Sequence, residues 1–182
     1  MRDAADAGAG VPPVDRLLSS ACCEPAELRG MQAGALTPIH RQVLSHWHAR
    51  RGERRAPRHR DIDPGAIRQA LPHVMIWQTG GDGEYVCRLS GTLVEDHLGG
   101  PLKGVRLGAI PCRLIDGVRR EFDTVREHAL ACVAERTIGW AGKPFLFYRH
   151  LLLPLTHESD AVERMLSVLT FHSIGEAIAR AS

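Results

Sequence analysis

Between residues 145 and 171 the chain reads FLFYRHLLLPL, THESDA, ERMLSVLTF, two apolar runs of strand length around a polar turn. Runs of this kind pair as a β-hairpin, and a hairpin alone is not stable in water. Further strands and a helical cover are therefore required. ERTIGWA, ending in a turn at GKP, supplies a third strand before the hairpin. HVMIWQT, GGDG and EYVCRLSG form a second hairpin upstream, with Tyr85, Cys87 and Leu89 on one face of its second strand and Val86, Arg88 and Ser90 on the other.

The segment between the two groups of strands is helical. TLVEDHLG is a short helix stopped by Gly99 and Gly100, and glycines 104 and 108 mark the following loop. RLIDGVRREFDTVREHALACV then sets Ile115, Val118, Phe122, Val125, Ala129 and Cys132 on one stripe with charges opposite. Two strands, a helical middle and a three-stranded meander predict an α+β domain: a five-stranded antiparallel sheet with helices over one face.

Residues 1–35 are rich in Ala, Gly, Pro and Asp without periodicity and are expected to be a disordered tail. Residues 37–62 form an N-terminal unit. Thr37 caps, Pro38 takes the first helical position, and Ile39, Val43 and Trp47 recur at helical spacing, followed by a basic linker. The main domain is expected over 63–173, opening with a cap at Asp63, a helix-compatible Pro64 and the short helix PGAIRQAL, and a C-terminal tail over 174–182.

The formal charge of +2 on 182 residues, 44% of them hydrophobic, points to no polyanion partner. Five cysteines, Cys22, Cys23, Cys87, Cys112 and Cys132, lack the spacing of a disulfide framework or zinc site, which fits a reducing compartment. The longest apolar run, Leu151 to Leu155, is too short to span a bilayer, and the N-terminus lacks a signal-peptide core. A cytoplasmic protein without membrane contact is expected.

The words WHARRGERRAPRHRDIDP (47–64), QALPHVMIWQT, YVCRLSGT, GPLKGVRL and HLLLPLTHESDAVERML occur in this order. Together they resemble a single-domain bacterial PAS family whose members carry a W-x-x-x-R-G stretch and a D-I-D-P stretch after an initial helix. The resemblance covers roughly residues 38 to 172. It implies the five-stranded sheet, a cavity between that sheet and the helical middle, and sensing of small ligands or mediation of protein contacts. It transfers no catalytic or cofactor residue.

Chemical readings of individual residues are weak. Ser90 lacks the glycine two positions earlier that a nucleophile elbow needs, because Arg88 stands there. Light-sensing PAS relatives form a flavin adduct on a cysteine in N-C-R-F-L-Q. Here Cys87-Arg88-Leu89 follows Val86, lies on a strand and lacks F-L-Q, so flavin is not expected. Haem would need a helical histidine, for which His97 and His128 are the candidates, and a haem sensor stays an alternative only. His46 and His48 point to different helix faces and Cys22-Cys23 lies in the expected tail, so no metal site is expected. Arg50, Arg51, Arg54, Arg55, Arg58 and Arg60 form one cationic cluster, which without a stacking platform reads as a solvated linker, with protein or nucleotide docking as alternatives and nucleic acid not favoured.

The sequence therefore predicts a non-enzymatic sensory or regulatory module with no catalytic residue and no assigned cofactor. It would bind an unidentified small molecule, a signalling protein partner, or both, and signal by non-covalent contact. Leu89, Leu98, Ile115, Phe122, Phe147 and Val168 are the expected cavity residues, with Arg88 as a polar clamp or a structural pair. Ile39, Val43 and Trp47 must be buried either across the chain's own sheet or against a second subunit, and are read as the partner surface of a homodimer, with internal packing as the alternative. The alternative is a ligand-free protein-interaction adaptor.

Overall fold

Antiparallel pairing along nearly every apolar run organises the chain. The structure, a computed structural model, describes residues 17–30, 35–139 and 143–173. In chain order the regular elements are β1 (Leu17–Cys23), α1 (Pro38–Arg51), β2 (Val74–Thr79), β3 (Tyr85–Ser90), α2 (Thr92–Leu98), α3 (Ile115–His128), β4 (Ala131–Ile138), β5 (Lys143–Thr156) and β6 (Val162–Ser173). The strands form one antiparallel sheet in the order β1-β4-β5-β6-β2-β3.

The α+β reading holds, and the sheet has a sixth strand. Over residues 17–23 the expected tail is instead the edge strand β1, paired with β4 from Leu17↔Arg136 to Cys23↔Ala131. Its small residues, LLSSACC, carry no strong strand signal, and the ladder with β4 supplies what local propensity does not. The tail also places Leu28 in the core, fully buried. Of the expected tails, 1–16, 31–34 and 174–182 lie outside the described residues.

α3 ends earlier than the apolar stripe suggests. Ala129 takes a left-handed conformation at φ 55°, and Cys132 passes into β4. β4 accordingly begins at Ala131, four residues before the expected start.

Helices cover both faces of the sheet and not the one face expected, because α1 packs on the side opposite α2 and α3. α2 and α3 close one face over Met75, Trp77, Cys87, Leu152, Met165 and Leu169. α1 covers the opposite face, where Val43, Leu44 and Trp47 pack with Leu151, Leu153, Leu155, Leu166 and Val168. Burial on two sides explains why β5 and β6 read as continuous apolar runs and not as alternation.

α1 is capped as its sequence indicates. Thr37 Oγ1 accepts from His40 N–H at 3.3 Å, and His40 Nδ1 accepts from Thr37 N–H at 3.4 Å. That leaves the proton of the His40 ring on Nε2, which donates to the Val168 carbonyl on β6 at 3.2 Å. At the middle of the helix Trp47 donates its indole N–H to the Pro154 carbonyl on β5 at 2.8 Å. Val43 and Trp47 are 1% and 0% exposed and Ile39 is half-buried against the same cluster. The expected partner surface is therefore an internal contact, because the sheet itself offers α1 an apolar face of matching extent.

Candidate functional site

The inner face of the sheet and the helical middle enclose a cavity of about 50 Å³. Its apolar walls include Met75 and Trp77 from β2, Leu98 from α2, Ile115, Val118 and Phe122 from α3, and Leu169 from β6. Three polar side chains enter the same lining: Tyr148 and His150 from β5 and Ser167 from β6. A water needs roughly 10–15 Å³ by this kind of measure, and an apolar cavity of about 150 Å³ admits benzene. The space therefore suits a few waters or a compact molecule of a few heavy atoms, and is too small for a haem or flavin without opening.

The polar wall is buried and neutral. His150 Nε2 is hydrogen-bonded with Ser167 Oγ at 2.5 Å. Burial drives the His150 imidazole well below its ordinary pKa, and the Arg136 guanidinium and His40 push the same way. Burial raises the Tyr148 phenol to about 12 against the opposing pull of Arg136. Trp77, 2% exposed, has an indole Nε1 that no protein acceptor reaches. A buried donor without a partner costs roughly 1–3 kcal/mol, so this wall favours an acceptor beside the indole.

α3 is fixed over the cavity from both sides. On one side Arg119 makes paired bonds to Glu84 at 2.7 and 2.6 Å, and Tyr85 donates to Asp123 at 2.5 Å. On the other, Glu121 forms a buried ion pair with Arg136 of β4 and accepts from Ser20 of β1 at 2.5 Å. α2 enters through Gly91, whose N–H donates to the Val74 carbonyl at 2.8 Å. A Cβ there would lie 2.4 Å from the carbonyl oxygens of Leu71 and Pro72, so the joint demands glycine.

Of the expected cavity residues, Leu98, Ile115 and Phe122 line the space. Three others do not. Val168 packs in the cluster beneath α1, because Ser167 and Leu169 take the cavity-facing positions of β6. Phe147 lies an even number of residues from Leu151, on the α1 side, with its ring stacked on His172. Leu89 is 46% exposed: a register shift between Ile76 and Trp77 sets it opposite Ile76, a residue of the cluster beneath α1, and off the face that Cys87 shares with Trp77. Arg88 is exposed and donates to the Gln78 side-chain carbonyl across the hairpin at 2.9 Å. It is a surface pair and not a clamp. Tyr148, His150, Ser167 and Trp77 were not expected, although His150 amid the leucines of β5 is a polar residue whose burial the run itself foretells.

The stretch around Cys87 is structural. Its thiol is buried, donates to the Leu89 carbonyl at 3.2 Å, and is raised to about 11 by burial. His97 bonds the Leu93 carbonyl through Nδ1 at 2.8 Å and stacks on Phe171, while His128 is exposed, and neither lines the cavity. Three of the six clustered arginines are tied to backbone carbonyls. Arg51 donates to the Arg54 carbonyl, Arg54 to the Arg50 carbonyl and Asp61, and Arg55 to the His128 carbonyl. Among the described residues no group of three His, Cys, Asp or Glu is placed to hold a metal ion, and no helix is long and apolar enough to cross a membrane.

Comparison with known proteins follows this geometry. No curated protein sequence matches the chain. A solved domain of a histidine kinase from Haloarcula marismortui, assigned to light and redox sensing, aligns at a TM-score of 0.43 with 11% identity, over 55% of this chain and 90% of its own. The family model of the PAS domain matches residues 36–170, from the residue before the α1 cap to near the end of β6. With a match of that extent, the chain belongs to the PAS domain family.

Proposed function

We propose that the protein is a non-catalytic sensory module that takes up a compact, largely apolar molecule carrying one hydrogen-bond acceptor, in the cavity between α3 and the sheet. The observation that carries this reading is the buried indole N–H, without a protein acceptor, of Trp77, a residue that lines that cavity. The output leaves by non-covalent contact through α1. Ser167 bonds His150 inside the cavity, and the carbonyl of the next residue, Val168, accepts from His40 on the other side of the sheet. Two consecutive residues of β6 thus join the cavity to the first turn of α1, and a molecule that displaces Ser167 is felt at His40.

The ligand-free adaptor reading loses its main support, since Val43 and Trp47 are covered by the protein's own sheet. Native mass spectrometry of the purified chain tests the proposal. The wild type is expected to carry a small non-covalent adduct that Ile115→Phe, which fills the cavity, releases. An adduct retained equally by Ile115→Phe would place the molecule elsewhere and contradict the proposed site.

A further inference from the structure

The two cysteines that face each other across the edge of the sheet have no part in the cavity. Cys22 on β1 and Cys132 on β4 are direct partners in the antiparallel register. Opposed residues in such a ladder have Cα atoms about 4.5 or 5.5 Å apart, and both separations fall inside the range a disulfide spans. The two side chains are hydrogen-bonded to each other and belong to the same packed cluster, with Ser20 Oγ 3.9 Å from the Cys132 sulfur.

The pair is asymmetric. Cys22 is half-buried on the outermost strand, whereas Cys132 is 1% exposed beneath it. The hydrogen bond from Cys132 lowers the Cys22 thiol, with burial and Glu121 opposing and Arg136 assisting. Cys132 is raised by the same bond and by burial. An oxidant arriving from solvent meets Cys22 first, and that sulfur is the better nucleophile.

We infer that Cys22 and Cys132 form a hydroperoxide-oxidised thiol pair that closes to a cross-strand disulfide and fastens β1 to β4. The Cys22 thiolate attacks the peroxide, the O–O bond breaks, and Cys22 becomes a sulfenic acid as the peroxide leaves as water after protonation. The Cys132 sulfur then attacks Cys22, the S–O bond breaks, and a second water carries away the oxygen and the Cys132 proton. Two thiols and one hydrogen peroxide become one disulfide and two waters. The first five residues of β1 are exposed, and its hold rests on the ladder to β4 and the Ser20–Glu121 bond. Because Glu121 sits on α3, a covalently fixed β1 also steadies the wall of the cavity.

The test uses the full reduced chain treated with equimolar hydrogen peroxide. The expected product is a monomer lighter by two hydrogen atoms, whose tryptic map joins the peptide holding Cys22 and Cys23 to the peptide holding Cys132. Cys23→Ser keeps this link, Cys22→Ser abolishes it, and Cys132→Ser leaves a sulfenic acid that dimedone captures. Amide exchange across Ser19–Cys23 slows about tenfold on oxidation. A link through Cys23, a disulfide between two chains, or overoxidised Cys22 beside a free Cys132 thiol would each overturn the inference. The wild-type map requires no substitution, so a variant that fails to fold does not shield the proposal.

Discussion

His40 shows how much one side chain decides. Its ring closes the cap of α1 through Nδ1 and crosses to β6 through Nε2, an arrangement that only the neutral imidazole can make. Burial lowers its pKa to about 3, against the raising effect of the Val168 bond, with His172, Arg149 and His73 adding to the lowering. The unfolded chain binds a proton near the ordinary value of 6.5, whereas the folded chain does not until about 3. Stability is therefore lost as pH falls through that window, by about 1.4 kcal/mol per pH unit for this histidine, and His150 acts in the same direction. Urea unfolding between about pH 6 and about pH 4 should show this slope, reduced in His40→Asn; an equal slope in the variant would contradict the assignment. At Gly91 steric limits are absolute, since a methyl group meets two carbonyl oxygens. Gly91→Ala is expected to cost about 3 kcal/mol in thermal or urea unfolding, and a variant of wild-type stability would refute the close approach. Residue placement was legible where burial is one-sided: the α3 stripe correctly identifies Ile115 and Phe122 as cavity residues. It failed at Phe147 and Val168, because strands buried on both faces carry apolar side chains at odd and even positions alike.

At the scale of elements, α1 is an internal layer. The indole of Trp47 combines full burial with a hydrogen bond to β5, so Trp47→Ala should cost about 3–5 kcal/mol of stability. Equilibrium unfolding checks this; a folded Trp47→Ala of unchanged stability that lost only self-association would restore the surface reading. α3 depends on its buried pair in a different way. Glu121→Ala leaves the Arg136 guanidinium, 2% exposed, without its counter-charge and is expected to cost about 3–5 kcal/mol. A loss below about 1 kcal/mol would show the pair to be no more than a surface bridge. α1, α2 and α3 were legible from capping and periodicity and the meander from its turns, whereas the expected helix PGAIRQAL is a turn over 64–67 followed by a 3₁₀ helix over Arg68–His73 that includes Pro72. β1 was not, because LLSSACC has neither an alternating pattern nor a turn signal, and its partner strand lies more than a hundred residues away. Nor was the division of the helices between the two faces, which is fixed by the register of β6 between β5 and β2.

The molecule as a whole is a sheet with different cargo on its two sides. One face is filled by α1, while the other leaves a small cavity whose polar wall is assembled from β2, β5 and β6. β6 belongs to both, presenting Ser167 inwards and the Val168 carbonyl to His40. The family match agrees with the α+β reading of the sequence, yet the sixth strand, the cover on both faces and the cavity-facing polar set could be recognised only once the strands were paired. The most direct test is the Trp77 indole N–H resonance in a ¹⁵N-labelled sample, assigned with Trp77→Phe, during titration with acetone as a compact carbonyl acceptor. The account predicts a saturable shift of that resonance in the wild type, absent in Ile115→Phe, with the His40 amide moving in parallel. An indole resonance that does not respond, or responds equally in Ile115→Phe, would contradict the claim that this cavity is the binding site.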